Sequence, residues 1–388
     1  MIITSFKLHS LHIWATVFTG IILLNSTQAQ IAKPGYDDKM LFRGATGITT
    51  GAVQQSYSLT GYGTVSQQSA PLSIAVPLSN RMLLAVANSA GMANADTSEL
   101  QGIADTRVSL SYVLPGDKFW FAAGASIPTG KTKLSNAELE TSTKISQAAL
   151  GMKVPVFGQG FNGNVGIAYA TAFTRRLVFG IGTSFSYKGS YEPIEAASIK
   201  YDAGDEVSAN IGLDFITYSK LARFSFDISG TYFLEDKLDG TKIFQSGPRA
   251  IIVAVYSLKT GEYNHQLNTR IRYRQQNSSI TDSSTTKFDA GLQAEGQYSL
   301  TYQLNEWLIG SGVVEVKYYT PDQFLLGGQL IKSGNAEIVS IGADFAFLVS
   351  DIIAPTMNIR YLIGNITIDD AFYDINGFEI GVGLKVSF

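Results

Sequence analysis

Hydrophobic and polar positions alternate with a period of two in many segments of this chain. At the C-terminus one face carries the apolar side chains Phe378, Ile380, Val382, Leu384, Val386 and Phe388. The other face carries Glu379, Gly381, Gly383, Lys385 and Ser387. The same alternation occurs around residues 177–187, 223–229, 288–302 and 339–347. A period of two predicts β-strands with one apolar and one polar face, so the expected fold class is all-β.

Short turns and longer polar linkers alternate between the predicted strands. Turn-forming residues occur near 79–81, 115–117, 174–176, 218–220, 259–262, 305–306 and 350–351. Longer linkers occur near 89–105, 129–160, 188–205, 235–246, 275–286, 320–335 and 365–376. An outer-membrane barrel has short periplasmic turns and long outer loops. The alternation therefore predicts a transmembrane antiparallel up-and-down β-barrel.

The expected strand number comes from counting hairpins backward from the C-terminus. Up-and-down pairs reach back to about residue 82, and one further pair depends on the segments 54–65 and 70–78. A last strand that ends in the periplasm requires an even number, so we expect about 14 strands, within a range of roughly 12 to 16. The segment 144–157 does not fit this frame and is expected to extend a neighbouring strand or to lie in a loop.

The composition is typical of a chain whose outer surface faces lipid. Only 16% of the 388 residues are charged, whereas the chain contains 38 glycines, 19 tyrosines and 22 phenylalanines. The formal net charge of −3 argues against a nucleic-acid-binding protein, which would carry a basic excess. The absence of cysteine excludes disulfide scaffolds, cysteine-ligated zinc and thiol catalysis.

Residues 1–29 have the organisation of a cleaved secretory signal peptide. Lys7 precedes an apolar run at 13–24, and small residues lead to Ala29. An uncleaved membrane anchor is the alternative, but the apolar run is shorter than the roughly 20 residues of a transmembrane helix. No later apolar run is long enough to cross a membrane as a helix, so a closed barrel is the remaining way to cross it.

The chain is expected to have three parts. They are the signal peptide at 1–29, a periplasmic leader or small plug at 30–53 and an outer-membrane barrel at 54–388. A terminal Phe388 at the end of an amphipathic strand resembles the signal that the outer-membrane barrel assembly machinery reads. We therefore expect the protein in the outer membrane of a Gram-negative-type bacterium, in contact with that machinery and with outer-membrane lipid.

Motifs for catalysis or nucleotide binding are weak. Residues 125–132 match a relaxed phosphate-binding loop, but they follow a strand-like segment and contain Pro128, so we interpret them as a strand end entering an outer loop. His265 is the single histidine after the signal peptide, and its parity places it on the lipid-facing side. We therefore expect no catalytic residue, enzyme activity, metal or cofactor, and no nucleotide or nucleic acid as partner.

The candidate lumen-lining residues occupy every second position on several neighbouring strands, on the polar face of each strand. Arg270, Arg272 and Arg274 share a face with Asn264, Gln266 and Asn268. The other candidates are Asp289, Glu295, Glu315, Lys317, Asp344 and Arg360. Opposite charges on adjacent strands can pair. Two interpretations stay open, a charged constriction that selects permeating solutes and a static ion-pair network that fills and stiffens the lumen.

Two stretches carry a resemblance to a known family. Residues 104–130 read ADTRVSLSYVLPGDKFWFAAGASIPTG, and residues 77–81 read PLSNR. They resemble a hairpin and the preceding turn in the phenol-degradation (MetA-pathway) transporter group of the FadL-like superfamily, with Ala104-Asp105 in place of Gly-Asp. The resemblance implies passive uptake of small hydrophobic or aromatic compounds. A general diffusion porin and a plugged structural or interaction barrel are the alternatives, and a barrel hydrolase is a weaker one because of the lone His265.

Overall fold

The computed structural model describes residues 47–95, 98–281, 284–288, 290–368 and 371–387. In chain order its strands are β1 (Gly47–Leu59), β2 (Gly63–Ser79), β3 (Met82–Ala95), β4 (Ser98–Ile103), β5 (Thr106–Val113), β6 (Phe119–Ile127), β7 (Asn162–Ala172), β8 (Leu177–Lys188), β9 (Tyr201–Asp202), β10 (Glu206–Ile216), β11 (Ala222–Phe233), β12 (Glu235–Leu238), β13 (Thr241–Gln245), β14 (Arg249–Thr260), β15 (Tyr263–Arg274), β16 (Ser278–Thr281), β17 (Ser284–Lys287), β18 (Gly291–Asn305), β19 (Leu308–Tyr319), β20 (Asp322–Leu326), β21 (Gln329–Ser333), β22 (Ala336–Phe347), β23 (Ile353–Ile368) and β24 (Ala371–Ser387). An α-helix, α1, spans Asn136–Ile145, and a 3₁₀ turn follows at Ala148–Leu150. Among the residues just given, no helix has the length and apolarity needed to cross a bilayer.

Within the described residues, 16 antiparallel wall strands close into a barrel, which confirms the all-β barrel prediction. Successive wall strands pair as hairpins, and β1 closes the ring by pairing with β24. Both β4 and β5 pair with β3, so they form one wall strand that is interrupted at residues 104–105. The long connections contain a five-stranded sheet (β9, β12, β13, β16 and β17) and the hairpin β20–β21.

The predicted number of about 14 strands is too low, because β1 and β2 form a further hairpin. Both faces of these two strands carry Gln, Ser and Thr, so the alternation that marks the other strands is weak there. The predicted leader also ends too late, since β1 begins at Gly47. Residues 47–53 pair with residues 381–387 of β24 and form part of the seam that closes the ring. The predicted signal peptide and residues 30–46 lie outside the described residues.

The predicted short turns all fall at one end of the barrel. They connect β2–β3, β5–β6, β7–β8, β10–β11, β14–β15, β18–β19 and β22–β23. Residues 89–105 and 365–376, which we predicted as linkers, are instead mostly strand. Small and polar side chains imitate a loop in residues 89–105, whereas residues 365–376 combine polar residues such as Asn365 and Asp374 with the buried Ile366 and Ile375. The backbone pairs Ala90–Ile103 and Thr367–Phe372 extend the hairpins.

The outer face of the wall is an apolar belt. Its exposed side chains include Phe121, Ile181, Ile211, Phe224, Leu267, Tyr298, Val316, Ile341, Ile359 and Val382. The alternate positions point inward and are more polar, for example Ser225, Ser340 and Glu379. A continuous apolar surface of this size is unfavourable in water and suits the hydrocarbon region of a membrane.

Candidate functional site

The longest connection of the barrel, residues 128–161 between β6 and β7, folds into the lumen. We call it the inserted segment. It contains α1, the 3₁₀ turn and an irregular stretch, and it buries Ile145, Leu150 and Phe157. These side chains share one apolar cluster with inward wall residues, including Leu59, Leu100, Ile338, Ile366 and Ile375. Residues 144–157, which did not fit the predicted strand frame, are therefore part of a core inside the barrel.

Two buried glutamines on neighbouring wall strands bind the backbone of the inserted segment. Gln67 on β2 donates to the carbonyl of Val154 and accepts from its N–H, both at 2.8 Å. Gln55 on β1, the register partner of Gln67, donates to the Gly151 carbonyl at 3.1 Å and accepts from the Lys153 N–H at 2.9 Å. Each side-chain amide thus acts like a piece of β-strand and satisfies backbone groups that water cannot reach.

A carboxylate on β24 extends this contact. Glu379 accepts from the side-chain amide of Gln55 at 3.1 Å and from Asn358 at 2.9 Å, and it forms an ion pair with Lys153 at 3.0 Å. Gly151 has a left-handed backbone with φ of 62°, and a methyl group added there would lie 3.2 Å from Nζ of Lys317. The left-handed backbone therefore favours a glycine where the segment turns close to the wall.

The two ends of the inserted segment are joined by Asp105, the residue at which the wall strand between β4 and β5 is interrupted. Its carboxylate accepts from Gly130 N–H at 2.9 Å and from Gln159 N–H at 2.7 Å. Its own N–H donates to the Phe157 carbonyl at 3.0 Å. A side chain at Gly130 would lie 2.0 Å from that carbonyl oxygen, so only glycine fits.

These contacts give a structural role to the residues behind the family resemblance. Thr129 donates to the Ala104 carbonyl at 3.1 Å and accepts from Thr106 N–H at 2.9 Å. The Ala104-Asp105 pair and the Pro-Thr-Gly sequence therefore meet at the base of the inserted segment. The same Gly130 belongs to the stretch that resembles a phosphate-binding loop, and here its N–H is bound by a carboxylate of the chain itself.

The helix α1 is fixed at its start by a capping box. Ser135 accepts from the backbone N–H of Glu138, and the Glu138 carboxylate accepts from the Ser135 N–H at 3.0 Å. Lys131 also forms an ion pair with Glu138. Burial acts to raise the pKa of Glu138, but the hydrogen bonds from Lys131 and Ser135 outweigh it, so this pKa lies below its usual value. On the wall side, Thr141 of the helix hydrogen-bonds Ser98 of β4 at 2.6 Å.

The three predicted arginines of β15 lie on the inner face, as a row next to Arg249 of β14, which the sequence reasoning missed. Arg249 is the register partner of Arg274. Arg272 and Arg274 both pair with Asp322 of β20, at 3.7 and 3.4 Å, and Arg270 pairs with Glu295 at 3.4 Å. Asp322 was also missed, because it lies in a connection between wall strands, where alternation along a strand does not tell which side chains point inward.

The other predicted lumen residues lie at separate places. Lys317 forms an ion pair with Glu315 at 3.5 Å, close to the inserted segment. Arg360 pairs with Asp344 at 2.7 Å, away from the arginine row. Asp289 and Phe388 lie outside the described residues.

One part of the inner wall is apolar, which the sequence did not reveal. Leu83, Val113, Trp120 and Val178 form a buried cluster, with Ala75, Ala122, Ala168 and Ala170 packed against it. The inward positions of β6–β8 are otherwise small, such as Gly124, Gly166, Gly180 and Gly182. The signal was hidden because β6 is apolar on both faces, with Trp120 inward and Phe119 and Phe121 outward.

His265 lies on the outer face and contacts the hydroxyl of Tyr298 at 2.8 Å. Within the described part of the chain, no group of three or more His, Cys, Asp or Glu residues is arranged to hold a metal ion. A Ser–His pair for nucleophilic catalysis would need the histidine beside a serine and an orienting polar group. The position of this histidine, with a tyrosine as its hydrogen-bonding partner, gives no such arrangement.

No protein-family model and no curated protein matches the chain. Similar solved structures include OprB of Pseudomonas putida, with a TM-score of 0.46 and 9% identity over 88% of this chain and 93% of that chain. A bacterial polysaccharide outer membrane secretin has a TM-score of 0.46 and 11% identity over 88% and 98% of the two chains. CymD, a monoaromatic hydrocarbon channel, has a TM-score of 0.41 and 12% identity over 88% and 89%. Hydrocarbon channels are thus among the structural neighbours, while the closed barrel rests on the strand pairing of this chain itself.

Proposed function

We propose that this protein is an outer-membrane channel through which small hydrophobic or aromatic compounds diffuse passively. The observation that carries the proposal is the combination of an inserted segment and an apolar inner wall. The segment narrows a barrel of 16 strands. The wall opposite the charged strands is built from the buried cluster around Trp120 and from the partly buried Ala75, Ala122, Ala168 and Ala170 that pack against it. Apolar side chains on a lumen wall lower the cost of removing an apolar solute from water.

The apolar belt supports the proposed location in the outer membrane of a Gram-negative-type bacterium. Its exposed Phe, Ile, Val and Tyr side chains would contact outer-membrane lipid. The last wall strand, β24, would present the signal for the barrel assembly machinery together with Phe388. A barrel of this kind has no energy source of its own in the outer membrane, so passive flux is the expected mode.

The inserted segment separates this proposal from a general diffusion porin and from a plugged structural barrel. A general porin would hold a wide aqueous lumen, whereas the buried cluster of Ile145, Leu150 and Phe157 occupies part of it. A plugged barrel would leave no path beside the segment. The three functions therefore predict different conductance and different solute flux.

The test uses the mature protein refolded into planar bilayers and into liposomes. We expect small conductance steps together with saturable entry of toluene or phenol, measured against protein-free liposomes. Large ohmic steps with free entry of sugars would favour a general porin. A correctly folded barrel with neither conductance nor entry of any probe would favour the structural role and contradict the channel proposal.

The matched control is a variant in which residues 132–156 are replaced by a short Gly-Ser linker. Gly130 and Phe157 lie side by side at the base of the segment, so a short linker can join the two ends. If the segment provides selectivity, this variant should admit sugars that the intact protein excludes.

A further inference from the structure

We infer that the arginine row of β14 and β15 is a binding site for organic carboxylates with an apolar body. This inference deepens the proposed channel function and rests on it. The row consists of Arg249, Arg270, Arg272 and Arg274, on the inner face near the long-connection end of the barrel. Arg249 faces Arg274 across the strand pair, and Arg270, Arg272 and Arg274 occupy successive inward positions of β15. Like charges on neighbouring positions repel one another, so anions are needed to balance them.

Among the described residues, the carboxylates that pair with the row do not balance its charge. In the ion pairs of the described residues, Arg249, Arg270, Arg272, Arg274 and Lys188 contribute five positive charges. Their partners Glu206, Glu295 and Asp322 contribute three negative charges, so two positive charges remain. Asp322 serves two arginines at once, and Glu206 serves both Arg249, at 4.0 Å, and Lys188.

Several guanidinium donors in the row are buried without a hydrogen-bond partner. They are Nε of Arg249 and both Nε and Nη1 of Arg274. The side chains of Arg249, Arg270 and Arg272 are partly accessible, with exposed fractions of 23%, 28% and 19%, whereas Arg274 is 10% exposed. A buried donor without a partner is costly, and a planar guanidinium is suited to bind a carboxylate through two parallel hydrogen bonds.

An aliphatic strip lies beside the row. The inward positions that follow Arg249 on β14 are Ile251, Val253 and Val255. Ile251 and Val253 are the register partners of Arg272 and Arg270, so their side chains are about 5 Å from the arginines at the Cβ atoms. The ring of Phe233 is 5.0 Å from the Arg249 guanidinium. A ligand with a carboxylate at one end and a hydrocarbon body would contact both kinds of side chain.

The site is distinct from the other charged pairs of the lumen. Arg360 and Asp344 form a one-to-one pair at 2.7 Å, and Arg223 forms two hydrogen bonds with Asp214 at 2.9 and 3.0 Å. Those pairs are balanced in charge and have directed hydrogen bonds. In the arginine row, Arg270 is the one member that hydrogen-bonds a carboxylate among the described residues, through contacts to Glu295 at 3.4 and 3.5 Å. The other three arginines share Asp322 and Glu206, and this deficit of carboxylates is what separates a ligand site from a static ion-pair network.

The experiment measures binding of radiolabelled benzoate by equilibrium dialysis of the refolded mature protein, with the same detergent on both sides. Benzyl alcohol, the neutral analogue, and acetate, which lacks the ring, are dialysed in parallel. We expect saturable benzoate binding, and weakening of roughly tenfold or more for acetate because the apolar contact is lost. Absence of saturable benzoate binding would overturn the inference. Acetate binding as tight as that of benzoate would contradict the part of the inference that assigns a contact to the apolar body of the ligand.

The double substitution R249Q/R274Q keeps polar side chains at both positions and removes two charges. We expect it to weaken benzoate binding by roughly tenfold or more and to leave benzyl alcohol partitioning unchanged. The control R360Q should leave benzoate binding unchanged. If R249Q/R274Q does not fold, as judged by heat-modifiable gel migration, R249K/R274K retains the charge and loses the planar donors. Unchanged benzoate affinity in a folded variant of either kind contradicts the inference.

Binding is measured here without transport, so the two proposals can fail separately. A barrel that binds benzoate through the row but passes no solute would contradict the channel function and leave the binding site intact. A barrel that passes toluene but does not bind benzoate would contradict the binding site and leave the channel function intact.

Discussion

At the scale of single residues, the most informative side chains are amides and one carboxylate rather than the charged groups that dominate the lumen. Gln55 and Gln67 bind the backbone of the inserted segment as a neighbouring strand would, and Asp105 joins its two ends. A glutamine inside a strand carries no signal of this use, because its partner is a distant backbone segment. The pattern along the chain therefore offered no reason to select the two glutamines, whereas Asp105 lies in the stretch that carries the family resemblance.

Replacing Gln67 by leucine should loosen the inserted segment. The Val154 N–H and carbonyl would lose their partner inside the barrel, at a cost of about 1–3 kcal/mol for each buried group. We expect larger and noisier conductance steps in planar bilayers. Gln68→Leu, at the adjacent outward position of the same strand, is the matched control and should conduct as the unchanged protein does. Equal conductance of Gln67→Leu and the unchanged protein would show that this amide does not hold the segment.

Asp105→Ala should free both ends of the same segment. Two charge-assisted hydrogen bonds, to Gly130 and Gln159, are lost at once. We expect limited proteolysis of the folded barrel to cut within residues 128–161, where the unchanged protein resists. Asp117→Ala, which removes an ion pair with Arg81 at a short turn, is the control and should not change the cleavage pattern. Resistance of Asp105→Ala to the protease would contradict the role given to this carboxylate.

At the scale of elements, the helix α1 is the part of the inserted segment that packs against the inner wall and occupies part of the lumen. It is a short helix whose start is set by Ser135 and Glu138 and whose buried side, with Thr141 and Ile145, contacts the wall. The capping box is local and can be read in a sequence. The direction in which the connection folds is not local, because it depends on wall strands that are far apart in the chain.

The start of α1 should become weaker in acid. The folded-state pKa of Glu138 is lowered, so its contribution to stability is complete above the usual value of 4.5 and is lost as the pH falls through the folded value. We expect conductance fluctuations to increase in the unchanged protein as the pH falls below 4.5 and through the lowered pKa of Glu138. Glu138→Gln should show these fluctuations at neutral pH already and little further change in acid. An identical pH response of the two proteins would contradict the assignment.

At the scale of the whole molecule, the alternation of side chains along each strand places one set of residues on the outer face of the barrel and the other set in the lumen. The outward positions form the apolar belt, and the inward positions divide into an apolar, small-residue wall on β6–β8 and a charged wall that includes β14, β15 and β18. This asymmetry of the lumen underlies both the proposed passage of apolar solutes and the proposed carboxylate site. It appears only after the strands are closed into a ring.

Removal of Phe388 should impair assembly without changing the fold that is finally reached. The terminal aromatic residue is expected to present the last strand to the assembly machinery, whereas the pairing of β24 with β1 and β23 is made by other residues. We expect less heat-modifiable barrel in isolated outer membranes and normal folding of the purified chain in detergent. Val382→Ala, an apolar change in the lipid-facing belt of the same strand, is the control. Normal membrane insertion without Phe388 would show that the terminal residue is not the signal.

The sequence by itself determined the all-β class, the antiparallel barrel and the position of the short turns. These features follow from local rules, since a period of two assigns each side chain to one face and turn residues end each strand. The same rules failed at β1 and β2, where both faces are polar, and the strand count was therefore too low.

Only the tertiary structure decided what the lumen contains. The sequence assigned Arg270, Arg272 and Arg274 to one face, but it could not bring Arg249 and Asp322 to them, because ring closure and folded connections set those distances. The inserted segment is the clearest case. Its helix is local, whereas its place inside the barrel depends on Gln55, Gln67 and Asp105, whose partners lie between 25 and 98 positions away in the chain.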